Sequence, residues 1–380
     1  MSAYVTPIVS AMLVFAAIAM LVTVPWAIYQ YRKYGYYSFW KSFMLATFIF
    51  YSLSAFFLVI LPLPESRVNC AERLPLNHYM QTTPFQFITD IQREATIQWS
   101  SLASYKQLAK TPAFYQLIFN ILLLLPLGVY IRYMWKQKRN IWKAFVIGFS
   151  VSLFFEVTQL TGLYGFYTCP YRLFDVDDLM ANTTGAVLGF ILAPLFLMFI
   201  PSKSSLQIRD AAMSEKREAT RGAELLALFF DIIAAQVIAG IIAAFGNQQW
   251  FEQQLLFFIT LFVMIVLVPL VSRGRTLGAR IVNIRYETIQ HTLGLSLVKR
   301  YIAIMLPYML GMISSLTDAA VPNETGWTLI FLIAINFLSV FVNVTIILHI
   351  ATRLIRRTKP FYFDHYSGTI TLKKERKTNE

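Results

Sequence analysis

The chain has 380 residues, of which 57% are hydrophobic and 14% charged, with a mean hydropathy of +0.56. That composition excludes a soluble globular protein of this size and points to a polytopic membrane protein. The net charge of +13 does not argue for nucleic acid, because 27 of the 33 Lys and Arg fall in alternate loops, as membrane topology demands.

A membrane helix needs about 20 mostly apolar residues. Stretches of that kind lie at 8–30, 39–63, 113–135, 142–163, 178–200, 223–245, 251–272, 297–317 and 327–350. None alternates with the period of two that a barrel strand requires. The expected fold is all-α, with nine transmembrane helices, five in the first half and four in the second. The first stretch lacks a basic region before it and is followed by Arg32 and Lys33, which reads as a retained helix with an outside N-terminus. Loops rich in Lys and Arg stay in the cytoplasm, so the C-terminus is expected inside a multi-pass cell-membrane protein. The expected division is 1–200, a polar cytoplasmic linker at 201–222, a second membrane domain at 223–372, and a basic tail at 373–380.

After the second helix comes a long outer loop, 64–112, rich in Pro, Gln and Thr. Such a loop either covers something or is a plain tether. Cys70 in this loop and Cys169 in the next outer loop are a disulfide candidate, in the compartment where a bridge survives; chance placement is the alternative.

Helix three carries Asn120 about two turns from its outer end, with Pro126 and Gly128 expected to loosen it further in. In helix four, Glu156 and Gln159 are three apart and share a face. An acid within a membrane helix is a functional candidate, or a group that ties helices together by hydrogen bonding. Asp178 and Asn182 share a face at the start of helix five, and Gly185 and Gly189 continue it as a close-packing stripe. Asp175 and Asp177 suit the helix N-terminus, and Arg172 is a natural partner for one of these carboxylates. Asn120, Glu156, Gln159, Arg172, Asp175, Asp178 and Asn182 therefore converge on one depth near the outer surface.

Three of these stretches, "NILLLLPLG", "SLFFEVTQ" and "RLFDVDDLMANTTGAVLG", occur in order and resemble the successive motifs of the VanZ-like family, over roughly residues 10–200. The resemblance implies an integral membrane protein whose better-known relatives lower susceptibility to glycopeptide antibiotics such as teicoplanin.

In the second half, "RGAELLALFFDIIAAQ", "RGRTLGARIVNIRY", "KRYIAIMLPY" and "FDHYSGTITL" resemble, in that order, the RDD family of membrane domains, over about 220–372. Asp231, Arg275, Gly278, Arg300 and Asp364 match its pattern. Position 224 departs from it, with Glu where the family usually carries Arg; Arg221 lies one turn earlier. For some RDD-like proteins the resemblance implies ion or proton exchange.

The four histidines are scattered, and neither a phosphate-binding loop nor a nucleophile elbow is present. The Asn-x-Thr sequons include those at Asn182 and Asn323. No catalytic residue is singled out and no cofactor is expected, while Asp175, Asp178 and Glu156 could supply oxygen ligands to a divalent cation. The leading reading is a non-enzymatic module that binds a lipid-linked cell-wall precursor or a glycopeptide at an outward-facing polar pocket. The alternatives are an ion-coupled transporter using Glu156 and Asp231, and an intramembrane enzyme acting on a lipid or cell-wall precursor. Membrane lipid is the expected partner, nucleic acid is not, and the oligomeric state is open.

Overall fold

The computed structural model describes residues 2–94, 108, 110–246, 250–289, 292–320, 326–356 and 359–374. The Asn323 sequon, part of the long loop (95–107) and the tail beyond 374 lie outside the described residues. Nine helices among the described residues are long and apolar enough to cross a membrane, and the fold is all-α as expected. Many of their large apolar side chains, Leu13, Met20 and Leu21 among them, face outward, where lipid rather than protein is their solvent. The chain forms two compact units, residues 1–23 with 39–207, and 24–38 with 208–380.

The first unit is built on α2 (Phe39–Ile60), α4 (Pro112–Met134), α5 (Ile141–Leu160) and α6 (Val176–Leu197), with a short α3 (Gln86–Glu94) in the long loop and the first part of α1 (Ser2–Tyr34). The pairing of α4 with α6 is set by glycine. A Cβ at Gly185 would lie 1.9 Å from the Ile121 carbonyl, one at Gly189 1.9 Å from that of Leu125, and one at Gly128 1.9 Å from that of Ala186. The two backbones therefore touch, and any larger residue would force them apart. Leu124, Phe155 and Ala186 fill the core where α4, α5 and α6 meet. Helix α4 runs unbroken through Pro126, and the Tyr51 hydroxyl donates to the Leu123 carbonyl in the turn that the proline interrupts, at 2.8 Å.

The described part of the long loop is tied down rather than trailing. Cys70 and Cys169 form a disulfide, Asn69 exchanges two hydrogen bonds with the Cys169 backbone (2.9 and 3.0 Å), and β1 (Met80–Gln81) pairs in parallel with β2 (Phe174–Asp175). Asp177 completes the attachment. Its carboxylate accepts the backbone N–H groups of Phe85 (2.6 Å) and Phe87 (2.9 Å) at the start of α3. These are donors a helix cannot satisfy internally, so α3 is capped by a side chain of α6.

The second unit contains α8 (Arg221–Ala244), α9 (Trp250–Phe262, continuing through a π turn to Val271), α11 (Leu293–Ala320) and α12 (Trp327–Arg356). Short α10 (Leu277–Val282) and α13 (Tyr362–Ser367) pack beside them. Most of the expected linker is helical, as α7 (Lys203–Glu215). An antiparallel pair, β3 (Ile284–Thr288) with β4 (Thr369–Lys373), was not legible in the sequence. Residues 217–219 add to the other edge of β4 through Lys373 N to Arg217 O (2.8 Å) and Ala219 N to Thr371 O (2.9 Å).

Candidate functional site

Helix α6 begins at Asp175, whose side chain accepts the Asp177 N–H at 2.8 Å and so satisfies one of the helix's orphan donors. Burial raises the Asp175 carboxyl above its ordinary value, and the Asp177 N–H pulls the other way. Glu156, 3% exposed, reaches from α5 to accept the Asp175 N–H at 3.0 Å. One turn into α6, Asp178 accepts the Asn120 amide in a short hydrogen bond and the Gln116 amide at 3.3 Å. Deeper still, the Asn182 amide donates to Ser152 at 3.0 Å, and its own Oδ1 is buried with no hydrogen-bond partner among the described residues. Asn120, Glu156, Asp175, Asp178 and Asn182 thus form a ladder on α4, α5 and α6, with half-buried Asp178 and exposed Gln116 at its open edge.

Two of the sequence candidates serve another element. Gln159 donates to the Val59 carbonyl at 2.9 Å, and Arg172, expected to pair with a carboxylate, donates to the Leu61 carbonyl at 2.8 Å. Both meet the C-terminal end of α2, where helix carbonyls lack partners and a cation is favourable. Among the described residues no set of three or more His, Cys, Asp or Glu is placed to hold a metal ion. The reason is visible in the hydrogen bonds: the acids point at backbone N–H and amide donors rather than at a common centre. Gln116 and Ser152 went unremarked in the sequence, although each lies four residues before a named candidate, on the same face.

The second unit holds its own polar cluster. Arg300, 1% exposed, sits between the carboxylates of Glu224 and Asp364, each at 3.1 Å, with its guanidinium 3.9 Å from the centre of the Tyr286 ring. Glu224 also pairs with Arg221 at 3.2 Å, so the glutamate at the departing position is bracketed by two arginines. Burial, with the Glu224 charge nearby, pushes the Asp364 carboxyl well above its ordinary value, against the pull of Arg300. Thr369 donates a further hydrogen bond to Asp364 at 3.0 Å.

Asp231 does not join this ion pair directly; it accepts the Gly278 N–H at 2.7 Å, at the start of α10. Gly278 is required there because a Cβ would lie 1.9 Å from the Ala227 carbonyl, one turn from Asp231 on α8. Of the five matching positions, only Arg275 stands apart: its carbonyl accepts from Ser272, and its side chain makes no ion pair among the described residues.

Helices of this length and apolarity, tied by buried polar ladders, define a polytopic membrane protein. Residues 48–197, within the first unit, match the family model described as VanZ/LLP1, so this stretch is similar to that family. That match begins further along the chain than the expected start near residue 10, and it takes in all three quoted motifs. No curated protein and no solved structure matches the chain.

Proposed function

We infer that the protein modulates the response of the cell envelope to glycopeptide antibiotics of the teicoplanin type. In this reading it binds a lipid-linked precursor or glycopeptide at the Asn120–Asp178 edge of the first unit. The observation that carries this is the coincidence of the VanZ/LLP1 match with the ladder, since the three motifs supply Asn120, Glu156, Asp175, Asp178 and Asn182. Acids and amides at the end of membrane helices suit a ligand rich in amide and hydroxyl groups, with Asp178 and Gln116 on the accessible side. The buried Oδ1 of Asn182 is a further acceptor.

The orientation proposed places the N-terminus and this edge outside and the C-terminus in the cytoplasm. The alternate basic loops support it, as does the disulfide, since such bridges persist in oxidising compartments. The second unit is proposed as RDD-like, supported by the pairing of Arg300 with Asp364 and of Asp231 with Gly278.

A growth assay in teicoplanin tests the central claim. Cells expressing Glu156→Gln or Asp178→Asn should lose protection while keeping wild-type protein levels in the membrane. Full protection by both variants would remove the ladder from the function.

A further inference from the structure

We propose that the second unit carries a binding site for a phosphate-bearing anion in a cavity beside the end of α1. The cavity, of about 410 Å³, is lined by Arg32, Lys33, Lys216, Arg217, Lys373 and Lys374, and among the described residues Glu215 is the one carboxylate in that lining.

The cations come from three separated parts of the chain, and backbone geometry gathers them. The Lys373 N–H bonds the Arg217 carbonyl at 2.8 Å, and the Lys374 N–H bonds the Asn283 carbonyl at 3.1 Å. Arg32 reaches the Ile281 carbonyl at 3.5 Å. Lys373 turns inward, lies over Gly35 and donates from Nζ to the Met213 carbonyl. A Cβ at Gly35 would sit 2.4 Å from that Nζ, and the positive φ of +74° there also favours glycine.

Cations gathered along one wall repel one another, and an anion in the cavity relieves that repulsion. Burial, with Lys216 nearby, holds the Lys373 ammonium below its usual value. A phosphate group offers several acceptor oxygens and up to two negative charges, which suits a cavity lined by several Lys and Arg better than a carboxylate does. Arg32 and Lys33 lie in the last turn of a membrane-spanning helix, at the level of lipid headgroups. The phosphate can therefore come from an anionic lipid headgroup or from solution.

The full chain in neutral detergent would be titrated by calorimetry with short-chain phosphatidic acid and, separately, with inorganic phosphate. Saturable binding is expected, weakened about thirtyfold by Lys216→Gln with Lys374→Gln, two exposed residues whose neutralisation leaves the fold intact. Lys216→Arg with Lys374→Arg keeps the charge and should keep the affinity. Lys136→Gln with Lys138→Gln, on another basic loop, should leave binding unchanged. Binding of phosphatidic acid that inorganic phosphate does not displace assigns the site to lipid; displacement assigns it to phosphate as such. No saturable binding by either probe, an unaffected Gln pair, or an equal loss in the Lys136/Lys138 control overturns the proposal.

Discussion

Replacing Arg300 with methionine removes the one cation shared by Glu224 and Asp364, both of which are as buried as Arg300 itself. Each contact is 3.1 Å, which at an effective dielectric of about 20 is a Coulomb attraction of roughly 5 kcal/mol. Most of that offsets the cost of taking three charged groups out of solvent, several kcal/mol per ion. Without Arg300 the desolvation remains and the attraction is gone, so the expected loss is about 3–5 kcal/mol. The Tyr286 ring also loses its cation. At about 2–4 °C per kcal/mol for a unit of this size, the thermal unfolding midpoint in detergent should fall by about 6–20 °C. The triple variant Glu224→Gln, Arg300→Met and Asp364→Asn removes the orphaned charges and should recover most of the loss, because the remaining Arg221 is close enough to solvent to stay hydrated. A single variant as stable as wild type, or a triple variant no better than the single, would refute the reasoning.

Gly185→Ala should separate α4 from α6 and cost about 1–3 kcal/mol, whereas Gly240→Ala, where a Cβ meets nothing within 4 Å, should be neutral or mildly stabilising; thermal melts of the two side by side check this. Asp177→Ala strips the acceptor from the Phe85 and Phe87 N–H groups, and hydrogen exchange across α3 should quicken by the equivalent of about 1–2 kcal/mol while the membrane helices stay protected. Unchanged exchange in α3 would show that the loop is held without it. Lys373 has a folded pKa below its usual 10.5, so the unfolded chain binds that proton more tightly. Its penalty is complete below the folded value and vanishes as pH passes 10.5; stability should therefore gain with rising pH in that window, and Lys373→Met should flatten the gain.

The membrane helices were legible because lipid imposes a length and an apolarity on every spanning segment. The Gly185–Gly189 stripe was legible for a related reason: small residues at helical spacing have few other uses in a membrane. Spacing along single helices also put Asn120, Glu156, Asp178 and Asn182 on faces that meet a neighbouring helix or its start. Which donor meets which acceptor was another matter. Arg172 was expected beside a carboxylate and instead meets the Leu61 carbonyl, because the end of α2 arrives there in space and not in sequence. Asp177 read as a simple favourable charge at a helix start, yet it caps a different helix, more than 80 residues earlier in the chain.

What the sequence determined by itself was the class of the protein, the number of spans among the described residues and the faces that had to be buried. These follow from the solvent and from the helical repeat, which act locally. Tertiary structure alone decided how the charges are distributed among partners: Glu224 between two arginines, Asp231 on a backbone N–H, and Lys373 folded over Gly35. A buried charge takes the donor or acceptor that packing delivers within about 3 Å, and sequence distance carries no information about that.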